Sequence, residues 1–213
     1  MKTTLYLVRH GYSEGNLYDL FIGHGNVGLT DLGRRQAEMA ADYLKDIPVD
    51  AIYSSDLDRA YHTACATAKP KGMQIQKSAQ LREIMAGQWE GMVFSQIRET
   101  YPEEFRVWCE DFSNAVCPGG ESVRQMQKRF VDEVRRIAEA HPGQSVMIFA
   151  HATVLRAFCA YCKKAEGAAF QAIGYPSNAS LSIATYEDGE FSMVDYSIDH
   201  YMGELITALP EDV

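Results

Sequence analysis

Short apolar runs alternate along the chain with longer stretches in which apolar residues recur at helical spacing. Residues 3–8, 50–54, 73–76, 145–149, 181–186 and 191–196 have strand character. The first and fourth are nearly continuous in apolar residues, as expected of interior parallel strands covered on both faces. The last two flank Glu187-Asp188-Gly189-Glu190, and Asp-Gly between β-rich runs predicts a hairpin, so this end of the sheet is expected to be antiparallel. Between 31 and 47, apolar residues at 32, 39, 40, 43, 44 and 47 form one stripe, with Thr30 as its N-cap. From Ser122 the pattern Ser-x-x-Gln125 supplies a capping box. The stripe Val123, Met126, Phe130, Val134, Ile137 and Ala138 then runs until Pro142-Gly143 stops it. Residues 56–69 and 153–162 read as two further helices. The order predicts an α/β protein: a three-layer α/β/α sandwich with a mostly parallel central sheet and an antiparallel edge hairpin. The excursion over about 94–141, containing Pro102 and Cys117-Pro118-Gly119-Gly120, reads as a small helical cap inserted in a single domain spanning 1–213.

Composition narrows the function. With 213 residues, 46% hydrophobic, the chain can build one substantial core. A net charge of −9 argues against nucleic acid as a partner, because phosphate-backbone affinity needs a surplus of Lys and Arg. An acidic chain can still bind anions where its few cations converge. No apolar stretch approaches the ~20 residues that span a bilayer, and the opening residues lack a signal-peptide pattern. Five cysteines, at 65, 109, 117, 159 and 162, fit a reduced, cytoplasmic setting. Cys159 and Cys162 form C-x-x-C, but inside a helix rather than at its start, which favours core packing over redox or metal chemistry.

Three predicted strands run out into polar residues. The first ends in Arg9-His10-Gly11, the second in Ser54-Ser55-Asp56 with Arg59 one turn into the next helix, and the fourth delivers His151 at a helix start. Ligands of open α/β sheets bind beyond the carboxyl ends of the strands, near helix N-termini that favour anions. If these strands are parallel neighbours, Arg9, His10, Arg59 and His151 share one small volume. Two arginines and two histidines suit a phosphoryl group, whose transfer is mostly positioning and charge stabilisation.

These residues also fall into a family pattern, and the chain resembles the histidine phosphatase superfamily, also called phosphoglycerate mutase-like. Arg9-His10-Gly11 followed by Asn16 is similar to its opening motif R-H-G-x-[ST]-x-x-N. Similar segments follow in order: Leu29-Thr30-x-x-Gly33-x-x-Gln36-Ala37, then Ser55-Asp56-Leu57-x-Arg59-Ala60-x-x-Thr63-Ala64. Leu81-Arg82-Glu83-Ile84-x-x-Gly87-x-Trp89-Glu90-Gly91, Gly119-Gly120-Glu121-Ser122 and His151 complete the series.

The resemblance implies a metal-independent, cofactor-free phosphomonoester hydrolase acting on a small phosphorylated metabolite. His10 would carry a transient phosphoryl group as a neutral imidazole. Arg9, Arg59 and His151 would clamp its equatorial oxygens. Glu83 would protonate the leaving alkoxide and then deprotonate the attacking water. Gly11, Asn16, Gly23 and Ala152 would line the substrate site, with donors from Asn16 and the backbone around Gly23. At 152 the family usually has Gly, so Ala152 is a departure that a Gly-only conformation would make untenable.

Rivals remain. Asp56 competes for Arg59 across a helix turn, and Glu14, Glu90 and Glu121 compete with Glu83. His24, His62, His141 and His200 read as surface or helix-end residues. A phosphoglycerate mutase is the alternative activity, but the chain has no Arg or Lys between 83 and 97 or in 11–28 to hold a substrate carboxylate. An inactive phospho-ligand-binding relative is the second alternative, although no nucleophile, acid or clamp residue is missing. Neither nucleic acid nor membrane is expected as a partner, and a homodimer is left open.

Overall fold

The computed structural model describes residues 1–207, so the last stretch of the domain expected over 1–213 lies outside the described residues. Six strands form one sheet: β1 (Thr3–Arg9), β2 (Ala51–Ser54), β3 (Ile75–Lys77), β4 (Ser145–Ala150), β5 (Leu181–Glu187) and β6 (Glu190–Ile198). Their spatial order is β3-β2-β4-β1-β5-β6. The first four in that order pair in parallel, whereas β5 runs antiparallel to both β1 and β6. The fold is the expected α/β sandwich with an antiparallel edge. Asp188 and Gly189 alone connect β5 to β6, both at positive φ (52° and 85°), as a primed two-residue hairpin turn requires.

Eight helices surround the sheet among the described residues: α1 (Glu14–Leu17), α2 (Asp31–Leu44), α3 (Asp58–Lys71), α4 (Phe94–Thr100), α5 (Pro102–Glu110), α6 (Val123–Ala140), α7 (Ala152–Cys162) and α8 (Gly167–Gln171). The Thr30 Oγ1 cap accepts from Gly33 N–H at 3.1 Å, and Ser122 and Gln125 form the reciprocal capping box of α6. The helix expected over 56–69 starts at Asp58 instead, with its N-cap Leu57 providing no side-chain oxygen, and it stops at Gly72 in the left-handed conformation.

The apolar runs of β1 and β4 are continuous because alternate side chains enter different cores. Leu5, Leu7, Val146 and Ile148 pack with α6 and α7 residues such as Phe130 and Phe158. Val8, Met147 and Phe149 pack on the other face with Leu44 of α2 and Ala64 of α3. Of the stretch expected as a cap at about 94–141, the last helix, α6, therefore lies in the sandwich layer and not above the site. Phe94 of α4, Trp108 of α5 and Phe112 of the turn after them join an edge-to-face ring cluster around Phe21 and Trp89.

Cys65, Cys117, Cys159 and Cys162 form no disulfide. Cys159 is buried in α7, and burial pushes the Cys162 thiol up to about 12, the opposite of an activated thiolate. No helix among the described residues is long and apolar enough to cross a membrane.

Candidate active site

Parallel pairing of β1 with β4 brings the two site histidines together. Arg9 lies opposite Ala150 in the register, and His10 N–H donates to Ala150 O at 3.0 Å, extending the ladder by one residue. His10 and His151 are therefore the first residues beyond adjacent strand ends, with ring centroids 5.3 Å apart. On the next strand, Ser55 N–H donates to Phe149 O at 2.9 Å. That bond sets the start of the turn that leads to Arg59.

A cavity of about 340 Å³ opens at these strand ends. Arg9, His10, Asn16, Arg59, Glu83 and Ala152 line it, and Leu20, Phe21, Ile22, Phe94, Trp108 and Tyr175 form its outer wall. His10 Nδ1 lies 2.7 Å from Gly11 O. A carbonyl only accepts, so Nδ1 carries the proton and Nε2 keeps its lone pair. Burial, reinforced by the Arg59 and Arg9 charges, holds His10 well below the usual histidine range. His151, fully buried, is lowered for the same main reason. Its Nε2 meets Ser55 Oγ at 2.8 Å, and its Nδ1 has no partner.

Both arginines are only 2% exposed and are held by backbone carbonyls instead of carboxylates. Arg9 Nη1 donates to Pro176 O at 2.6 Å, and its Nε is unpartnered. Arg59 donates to Gly25 O and Gly23 O at 2.8 Å each and to Ile22 O at 3.4 Å. Burial lowers each guanidinium to about 10, so both remain cationic at neutral pH. Asp56, the rival partner of Arg59, instead takes a two-pronged bond from Arg82 at 2.7 and 2.6 Å.

Glu83 accepts from Ile84 N–H at 2.9 Å and, through its other oxygen, from Thr153 N–H at 3.0 Å in the first turn of α7. Its three rivals lie outside the cavity lining. Glu14 accepts from Gly28 N–H at 3.4 Å, and Glu121 pairs with Arg129 and Met85 N–H. Glu90 binds the amides of Gly23, His24 and Gly25 at 3.0, 3.0 and 3.1 Å.

The supporting residues divide. Asn16 Oδ1 accepts from the Ser13 amide and hydroxyl and from Asn178 Nδ2, which leaves Asn16 Nδ2 to face the cavity it lines. Ala152 opens α7 and is absent from the positive-φ residues, so its methyl group meets no Gly-only geometry. Gly11 and Gly23, expected to line the substrate site, are absent from the cavity lining, and the amides around Gly23 expected as donors are taken by Glu90. Gly11 N–H donates to Thr63 Oγ1 at 3.0 Å, and a Cβ there would lie 2.4 Å from Gly33 O. Gly23 N–H is taken by Glu90, and a Cβ there would lie 2.2 Å from Ile84 O. Both glycines serve close backbone approach, and neither offers a free amide.

Sequence reasoning missed three supports. Ser55 was legible only as a strand end. Glu90 competed for a role it does not occupy. His24, read as a surface residue, places Nε2 3.0 Å from Glu83 O, a long-range contact without a local pattern. His141, by contrast, ends α6 as expected. Among the described residues, no group of three or more His, Cys, Asp or Glu side chains is arranged to hold a metal ion.

Known proteins share this arrangement of elements. The profile of the histidine phosphatase superfamily (branch 1) matches residues 5–199. Phosphoserine phosphatase 1 of Hydrogenobacter thermophilus is 33% identical over 203 residues, covering 94% of both chains. The adenosylcobalamin/alpha-ribazole phosphatase of Escherichia coli is 28% identical over 151 residues, covering 71% of this chain and 74% of its own. The solved structure of a mycobacterial glucosyl-3-phosphoglycerate phosphatase superposes with a TM-score of 0.85 at 27% identity, over 93% of this chain and 100% of its own. The chain is thus a phosphomonoester hydrolase belonging to branch 1 of the histidine phosphatase superfamily.

Proposed function

We propose that His10 Nε2 attacks phosphorus of a small phosphomonoester in the strand-end cavity. The N–P bond forms as the ester P–O bond breaks, and Glu83 gives its proton to the departing alkoxide. Water then attacks the phosphohistidine, Glu83 takes the water's proton, and inorganic phosphate leaves as the N–P bond breaks. Arg9, Arg59 and Asn16 Nδ2 would bind the three peripheral oxygens. His151 would join them through Nδ1: Ser55 Oγ already accepts from Leu57 N–H at 3.3 Å. Its own proton is then free for His151 Nε2, which places the imidazole proton on the unpartnered Nδ1. The observation carrying this reading is the His10 Nδ1–Gly11 O bond, because it fixes the tautomer whose Nε2 is nucleophilic.

Hydrolysis is favoured over the mutase alternative because relatives matched over most of their length are phosphatases by name. The cap of this single domain would be the 94–114 segment, whose Phe94 and Trp108 wall the leaving-group side. The setting would be cytoplasmic, with reduced thiols, no nucleic-acid partner, and a monomer or homodimer as the working unit. Purified protein should hydrolyse p-nitrophenyl phosphate in excess EDTA, and His10→Ala should lower the rate on the order of 10⁴-fold or more. An EDTA-sensitive activity, or one that survives the substitution, defeats the mechanism.

A further inference from the structure

A second cavity of about 330 Å³ shares Arg9, Trp108 and Tyr175 with the first and is lined on one side by residues 171–177. Its distinctive resident is Arg156, on α7 one turn beyond the active-site end, 4% exposed. The guanidinium lies between two rings, 4.1 Å from the Phe112 centroid and 4.5 Å from that of Tyr175. Arg156 Nη2 donates to Gln171 O at 3.0 Å, while its Nε is buried without a partner. The buried Tyr175 hydroxyl lies beside the same guanidinium.

Isolated burial of a charge is costly, and proteins normally supply a counter-charge. Arg34, Arg82, Arg106, Arg129, Arg135 and Arg136 each have a carboxylate within reach. Arg9, Arg59 and Arg156 are the buried arginines among the described residues, and none of the three makes an ion pair with a carboxylate; the first two are those placed around the phosphoryl group. The buried donors without a partner on residues lining the second cavity are Arg156 Nε, Arg9 Nε and Trp108 Nε1. We infer that this cavity is a subsite for a carboxylate-class anion, held by the planar Arg156 fork and the Tyr175 hydroxyl. The anion would be either a second acidic group on the substrate, reaching past Arg9, or a free organic acid. This inference rests on the phosphatase reading for its substrate-borne form only.

The experiment uses the full chain as wild type, Arg156→Gln and Arg156→Lys. Turnover is compared on p-nitrophenyl phosphate, which carries no carboxylate, and on 3-phosphoglycerate, which does. Malonate binding is titrated calorimetrically. Losing a charge-assisted bond predicts that Arg156→Gln raises KM for 3-phosphoglycerate about tenfold. Turnover of p-nitrophenyl phosphate should stay within about twofold of wild type, a split that a merely structural role would not produce. Arg156→Lys, which keeps the charge, should fall between and serves as the decisive variant if Arg156→Gln does not fold. A free-acid source appears instead as malonate binding that Arg156→Gln abolishes while the KM values stay unchanged. Equal losses on both substrates, or no KM split together with no Arg156-dependent malonate binding, overturn the subsite. Calorimetry needs no turnover, so a protein inactive on every phosphomonoester but still binding malonate through Arg156 would refute the phosphatase reading and leave the subsite standing.

Discussion

The two ends of the catalytic cavity are held by different forces. At the phosphoryl end, Arg9, His10, Arg59, Glu83 and His151 are buried, and Arg9, His10, Arg59 and Glu83 each bond directly to backbone. At the leaving-group end, Phe21 meets Trp108, Trp89 and Phe94 edge-on at 5.1, 5.3 and 5.6 Å, contacts with little directional demand. Backbone-anchored polar groups resist displacement because each lost bond leaves a buried atom unsatisfied. Ring packing tolerates changes of shape at lower cost. That difference fits the proposed chemistry at the first end and selection at the second.

The harshest test of that division is Glu83→Gln. It keeps the side chain's size but removes the proton carrier, and should lower kcat on the order of 10²- to 10⁴-fold. The loss should be greater for an alkyl phosphate than for p-nitrophenyl phosphate, whose leaving group needs less protonation. A Glu83→Gln enzyme with wild-type rates on both would move the acid elsewhere.

Glu90 tests the same end indirectly. Its carboxylate holds the amides of 23, 24 and 25, whose neighbouring carbonyls at 22, 23 and 25 hold Arg59. Glu90→Ala should lower kcat/KM roughly tenfold and weaken inhibition by inorganic phosphate by a similar factor, as expected when a clamp is loosened. Glu90→Gln, able to accept from Gly23 and Gly25 through one oxygen, should lose less. Unchanged phosphate affinity in Glu90→Ala would show that Arg59 is fixed without the loop.

These two ends also differ in how readable they were. Arg9, His10, Arg59 and His151 follow from strand ends that apolar runs and hairpin signals locate, since parallel pairing then carries them into one place. Glu83 came from the family pattern; spacing alone left Glu14, Glu90 and Glu121 as rivals, and its place in the cavity lining and its bond from the Thr153 amide separate it from them. Gly11 and Gly23 enter as substrate contacts through the family pattern, and the sequence alone does not show what holds a glycine's amide. Their amides are engaged by Thr63 and Glu90, residues 52 and 67 positions away. Helix α6 looked like cap because it follows the excursion directly. Its apolar stripe did predict burial, but a stripe does not say which layer it faces.

Acid should expose the buried histidines. Both His10 and His151 have folded-state pKa values well below 6.5, chiefly through burial. Above about pH 6.5 neither state binds the extra proton and the stability is fully present. Below that value the unfolded chain takes up protons that the folded site refuses, so stability falls with pH towards the lowered folded values. Each histidine should contribute about a tenfold loss in the folded-to-unfolded ratio per pH unit in that window. Denaturant midpoints measured from pH 7 to 5 in wild type and His151→Gln should show a shallower slope in the variant. Parallel slopes would mean that His151 titrates normally.

The smallest effect belongs to the ring wall. Phe94 is half-buried, lines the cavity and touches Phe21 edge-on at 5.6 Å. Phe94→Leu keeps an apolar group of similar reach but removes an aromatic face, so core stability should change little. Selection should change instead: the kcat/KM ratio of an aryl to a short alkyl phosphate should fall roughly three- to tenfold, with alkyl turnover almost untouched. An equal fall on both substrates would mean that the wall also positions the phosphoryl group. The division into a chemical end and a selecting end would then fail at the residue where the two regions should be most independent.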